Sequence, residues 1–164
     1  MSESRMPSPQ NPSFADFSEL DASSAPALHQ LHRACFSQDE VWTEGAFQAA
    51  IEEPSHWGVV QFDQQKSALG LSVMRTIADE CELLTIAVHP ENRGEGLAAG
   101  MLAQVIHEAA AAGLMAIHLE VAEDNPGALR LYENGGFQKA GRRPGYYRRS
   151  KDQFVDAILM TKTL

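Results

Sequence analysis

Between an apolar run ending at Val88 and a helical apolar stripe starting near Leu97 lies His89-Pro90-Glu91-Asn92-Arg93-Gly94-Glu95-Gly96-Leu97-Ala98. Small residues at 94, 96 and 98 let backbone amides come close to a ligand. These amides open a helix, where partial positive charge favours a phosphate or pyrophosphate. The segment therefore predicts an anion site. Gly94-Glu95-Gly96-Leu97-Ala98-Ala99 also satisfies the dinucleotide pattern G-x-G-x-x-G/A, and Glu120 falls about where a ribose-binding acid would sit. Three features oppose that reading. Five residues, Pro90 among them, separate Val88 from Gly94; three predicted strands precede the one that leads into the motif; and too little chain follows Glu120 for a second βαβαβ half. An ordinary glycine-rich turn is the plainer alternative.

Other residues offer acid–base chemistry. On a predicted strand over Met115–Ala122, His118 and Glu120 share the face opposite Ile117, Leu119 and Val121. A carboxylate there can accept a proton directly or through water, unless it only forms a structural ion pair. His118 is a rival base, though an outward-facing strand histidine explains it as well. Tyr132 lies seven residues after Asn125, on the same face of the next predicted helix. His29, His32 and Cys35, three residues apart, sweep around a helix more than they converge, and no metal site is expected. Cys81 lacks a placed base and reads as a buried thiol.

The elements that must position these residues follow from periodicity. Strands are expected near Ser13–Leu20, His56–Phe62, Ser67–Ile77, Cys81–Val88, Met115–Ala122, Phe137–Arg142 and Phe154–Thr161. Helices are expected from Ser24 to Phe36, from a Thr43 cap through Glu53, from near Gly94 to Gly113, and from an Asn125 cap to Gly135. The strand over Cys81–Val88 is apolar on both faces, which predicts a central position. The fold class is α/β: a mixed sheet with helices on both faces. A disordered polar tail over residues 1–13 and a single domain over residues 14–164 are expected, the length suiting one core.

A formal charge of -9 argues against non-specific nucleic-acid binding, and no apolar run is long enough to span a bilayer. With two cysteines and no apolar leader at the N-terminus, a cytoplasmic location is expected.

Arg93-Gly94-Glu95-Gly96-Leu97-Ala98 fits R/Q-x-x-G-x-G/A and so resembles the pyrophosphate loop of the GNAT N-acetyltransferase superfamily. Downstream, Leu119-Glu120-Val121, Asn125-Pro126-Gly127-Ala128, Leu131-Tyr132, Gly136-Phe137 and the Tyr146-Tyr147 pair are similar to the bacterial ribosomal-protein-alanine N-acetyltransferase family. The resemblance covers residues 14–164; Ala98 replaces the commoner last glycine. It implies the acyl-CoA N-acyltransferase fold, acetyl-CoA as cosubstrate and no metal. It also implies Glu120 as general base and Tyr132 as acid. Acetyl-CoA would then be held by the backbone of Ile86, Ala87 and Val88, by the loop Arg93, Gly94, Glu95, Gly96, Leu97, Ala98 and Ala99, and by Asn125. The implied acceptor is the N-terminal alanine of a small-subunit ribosomal protein, with Trp42 and a loop carrying Tyr146 and Tyr147 flanking the peptide. A small-molecule amine or lysine acceptor, or a non-catalytic acetyl-CoA-binding module, are the alternatives. A monomer is compatible with the sequence.

Overall fold

The structure is a computed structural model and describes residues 17–164. The expected tail, and the start of the expected first strand, lie outside the described residues. In chain order the elements are β1 (Ser18–Glu19), α1 (Ala25–Cys35), α2 (Glu44–Glu52), β2 (His56–Phe62), β3 (Ala68–Ile77), β4 (Glu80–Val88), α3 (Leu97–Ala111), β5 (Ala116–Ala122), α4 (Pro126–Asn134), β6 (Gln138–Ser150) and β7 (Gln153–Thr163). The seven strands form one sheet in the order β1-β2-β3-β4-β5-β7-β6. Every neighbour pairs antiparallel except β4 and β5, which run parallel.

Local chemistry sets the helix ends. Thr43 Oγ1 accepts from the Ala46 N–H at 3.1 Å, and Asn125 Oδ1 accepts from the Ala128 N–H at 3.1 Å, so both α2 and α4 start on a side-chain cap. The helix α3 stops where Gly113 takes a φ of 79°. Alternating side chains split the core into two clusters. Val59 packs with Met101, Val105, Ile117 and Met160 beneath α3; its neighbour Val60 packs with Leu28, Phe47 and Leu71 beneath α1 and α2.

Two irregularities shape the centre of the sheet. Val73 pairs with Thr85 and Met74 with Leu83, so Leu84 is an extra residue in β4, a β-bulge that bends the strand. Partnership between β4 and β5 extends only over Glu80–Ala116, Cys81–Ile117 and Glu82–His118. Beyond Glu82 the two strands part, and each keeps one edge without a strand neighbour.

Sequence periodicity predicts a sixth strand ending near Arg142, and the resemblance implies a loop carrying Tyr146 and Tyr147. The structure corrects both: β6 runs from Gln138 to Ser150 and carries the two tyrosines. Pro144-Gly145 reads as a turn in sequence. Here it forms an irregularity in an edge strand, where a missing N–H costs no ladder bond. Pairing skips from Arg143↔Ala157 to Tyr147↔Val155, Gly145 adopts a φ of 58°, and its N–H donates to Asp156 Oδ1 at 2.9 Å.

Candidate active site

The gap between β4 and β5 opens into a cleft of about 1200 Å³, walled by α1, β4, the glycine loop, β5, α4 and β6. The His89 N–H donates to Leu69 O at 2.8 Å. By the alternation of an antiparallel pair, the main-chain groups of Thr85 and Ala87 then face β3, while those of Ile86 and Val88 face away from it, toward the cleft. The Val88 carbonyl accepts from the Cys35 thiol and from Arg93 Nε, each at 3.2 Å, which fixes the end of β4 against α1 and the loop.

The loop itself turns on Gly94 and Gly96, with φ of 81° and 82°. Side chains with a Cβ rarely adopt this left-handed conformation. Gly96 occupies the position before α3 and offers no side chain, so the first amides of that helix lack the cap that Thr43 gives α2 and Asn125 gives α4. Uncapped amides at the start of a 15-residue helix, lining an open cleft, match the needs of a pyrophosphate. Arg93, Gly94, Gly96, Leu97, Ala98 and Ala99 all line the cleft. Glu95 does not; its side chain points to solvent, so only its backbone can serve the loop.

Across the gap stand Glu120 and Tyr132. Glu120 lines the cleft and pairs with Arg143 of β6, Oε1 to Nε at 3.0 Å. Tyr132 is buried on α4, with its ring edge-to-face against Phe137, and its hydroxyl has no hydrogen bond to another described residue. Burial, and secondarily the neighbouring Tyr147, push the phenol well above its ordinary value of 10.0. Tyr132 therefore stays protonated at any physiological pH and is placed to donate. Asn125 lines the cleft while its Oδ1 caps α4.

One end of the cleft is aromatic. Trp42 is half-buried against Phe47 (5.2 Å between centroids), Tyr147 is half-buried, and Tyr146 is exposed and stands at 89° to it. The Tyr147 hydroxyl is pushed up to about 12, mainly by burial and then by the charge of Glu120. Sequence reasoning missed the residues that hold this end together. Arg149 forms two bonds to Asp124, at 2.7 and 2.8 Å, approaches Glu40 at 3.6 Å, and lies over Tyr147. It thus ties the α1–α2 loop, the β5–α4 turn and β6 together. Arg142 does the same for Glu123 and Asp156. The signal was present as an acidic run, Glu120, Glu123 and Asp124, and a basic one, Arg142, Arg143 and Arg149. Pairing them requires knowing that β7 lies between β5 and β6 only in space.

His32 is the other residue whose role the sequence concealed. It is 1% exposed. The Trp42 N–H donates to Nδ1 at 3.2 Å, so the ring proton sits on Nε2 and is donated to Thr85 Oγ1 at 3.1 Å. A neutral imidazole therefore joins the aromatic wall to the bulged strand. Burial, with a smaller contribution from His29, lowers its pKa from 6.5 to about 4. Below pH 6.5 the unfolded chain takes up a proton that the folded one refuses, so stability falls with pH until about pH 4. Between about pH 6.5 and 4.5 the native protein should lose on the order of 2 kcal/mol more than His32→Gln does. Urea melts of the two proteins across that window measure it, and parallel curves would remove the assignment.

His29 bonds the Trp42 carbonyl and Cys35 the Val88 carbonyl, so the spaced trio with His32 finds three separate partners. Among the described residues no cluster is arranged to hold a metal ion. His118 spans Thr161 Oγ1 and Glu80 Oε2, both at 2.9 Å, and does not line the main cleft. Cys81 is buried, its thiol pushed up to about 11 by burial and then by Glu80.

Residues 25–137 match the acetyltransferase (GNAT) family. The ribosomal protein bS18-alanine N-acetyltransferase of Escherichia coli is 29% identical over 143 residues, which are 87% of this chain and 93% of that protein. The N-alpha-acetyltransferase RimI of Mycobacterium tuberculosis is 33% identical over 132 residues, 79% of this chain and 82% of its own length. Among solved structures, the ribosomal-protein-S18-alanine N-acetyltransferase from Escherichia coli superposes with a TM-score of 0.78 at 27% identity, covering 90% of this chain and 92% of that one.

Proposed function

Because this chain belongs to the acetyltransferase (GNAT) family and is an acetyl-CoA-dependent N-acetyltransferase, we propose that its acceptor is a protein N-terminus, specifically the N-terminal alanine of a small-subunit ribosomal protein. The observation that carries the reading is that Glu120 and Tyr132 line one cleft, opened where β4 and β5 part, together with the aromatic side chains Trp42, Tyr146 and Tyr147. The names borne by the Escherichia coli and Mycobacterium tuberculosis relatives support the same acceptor class.

Acetyl-CoA supplies an activated thioester. Arg93 to Ala99 would hold its pyrophosphate on the uncapped amides of α3, and the main-chain groups of Ile86 and Val88 would hold the acetyl carbonyl and the pantetheine arm. The amine must arrive with a free lone pair. An α-amino group has a pKa of about 7.8 and a lysine about 10.4, so deprotonation at pH 7 costs about 1 kcal/mol for the first and roughly 4.6 for the second. A carboxylate already engaged by a guanidinium, as Glu120 is, suits the easier of these tasks. Glu120 takes one amine proton as the N–C bond forms. The raised pKa of Tyr132 keeps its hydroxyl protonated, so it donates a hydrogen bond to the departing sulfur, which ends protonated; overall one proton passes from nitrogen to sulfur.

An acceptor screen tests the proposal. CoA release with peptides starting in alanine should exceed release with free lysine or spermidine at least tenfold in kcat/KM. Equal or reversed rates would assign the enzyme a different acceptor.

A further inference from the structure

The Glu120–Arg143 ion pair lines the main cleft. A second hollow, about 370 Å³, shares Glu82, Glu120 and Arg143 with the main cleft, so the ion pair stands as a partition between the two. Arg143 is held there from both sides: its Nε is 3.0 Å from Glu120 Oε1, and its guanidinium lies over the Tyr146 ring at 5.5 Å. The irregularity at Pro144–Gly145 brings both residues to this position, since it begins directly after Arg143.

We infer that Arg143 is a charge-setting residue: by neutralising Glu120 it makes the site take the acceptor amine in its uncharged form. This rests on the reading of Glu120 as the base. An isolated carboxylate facing an amine binds the ammonium form best, which holds the substrate in the state that cannot attack. A carboxylate already paired with a guanidinium has no such preference. The other charges around Glu120 do not restore one. From β4, Glu82 is engaged by Arg75; from the α1–α2 loop, Glu40 faces Arg149. On β5 itself, His118 is bonded to Glu80 and Thr161; on β6, Tyr147 carries no charge below about pH 12. The proton is then shed only as the N–C bond forms and the C–S bond breaks, when the nitrogen has become acidic enough for a paired carboxylate to accept it.

Steady-state kinetics with an alanine-starting peptide, between about pH 6 and 8, tests the inference. In the wild type KM should carry the pH dependence, rising about tenfold per unit below the amine pKa, while kcat stays level. In Arg143→Gln the freed carboxylate should bind the ammonium, so KM at pH 6.5 falls several-fold and kcat acquires a limb that rises with pH. Arg143→Lys keeps the charge and should keep the wild-type pattern. A level KM with a pH-dependent kcat in the wild type overturns the inference without any variant, and so does an unchanged split in Arg143→Gln. Glu120→Gln, run alongside, separates the two ideas. If it turns over at the wild-type rate, the base reading falls; if it is inactive while the split in Arg143→Gln is unmoved, only the role of Arg143 falls.

Discussion

Gly96→Glu should abolish acetyl-CoA binding while leaving the protein folded. Two effects add. Gly96 holds a φ of 82°, a conformation that costs an L-residue about 1–2 kcal/mol. The new carboxylate would also stand at the uncapped start of α3, where the amides are to meet the pyrophosphate, and would compete for them as an anion. Calorimetry should show no measurable heat at concentrations that saturate the wild type, with far-ultraviolet dichroism unchanged. Gly96→Ala, which brings the strain without the charge, should bind only about tenfold more weakly. Wild-type affinity in the glutamate variant would mean that the cosubstrate lies elsewhere.

Glu120→Gln should lower kcat by about 10²-fold or more, the usual effect of removing a placed general base. The amide is nearly isosteric and can still meet the Arg143 N–H through its oxygen, so the wall of the cleft should keep its shape. Because Glu120 lies on β5 and the glycine loop proposed to hold the pyrophosphate follows β4, KM for acetyl-CoA should stay near its wild-type value. The measurement is CoA release with an alanine-starting peptide at saturating acetyl-CoA. A kcat within tenfold of wild type would reduce Glu120 to a structural partner of Arg143.

Much of this site is legible in the chain because its chemistry is local. The start of α2 at Thr43, the start of α4 at Asn125 and the glycine turn before α3 each depend on residues within a few positions of one another. The central place of β4 follows from its two apolar faces, and every residue from Cys81 to Val88 is buried or half-buried. What escapes the sequence is contact between distant segments. Arg143 meets Glu120, Arg149 meets Asp124 and Glu40, and His32 meets Thr85 only because β7 is inserted between β5 and β6 and α1 lies across β4. Leu84 carries no mark of the bulge, since an extra apolar residue looks the same in a strand buried on both faces. At Pro144-Gly145 the sequence misled, because a turn and an edge-strand irregularity use the same two residues.

The short partnership of β4 and β5 also bears on how this protein behaves in a crowded solution. A strand that lacks a neighbour displays a row of open N–H and C=O groups and is ordinarily a hazard, because another chain can add to it. Here two such rows occur in the middle of the sheet rather than at its margin. They open onto a cleft that α1 walls on one side and α4 and β6 on the other, so they face a ligand site rather than bulk solvent. The same feature that would make an outer strand sticky thus becomes selective by being moved inward. The true margins show the complementary treatment: β1 is only two residues long, and β6 is interrupted by Pro144 and carries Arg142, Arg143, Arg148 and Arg149.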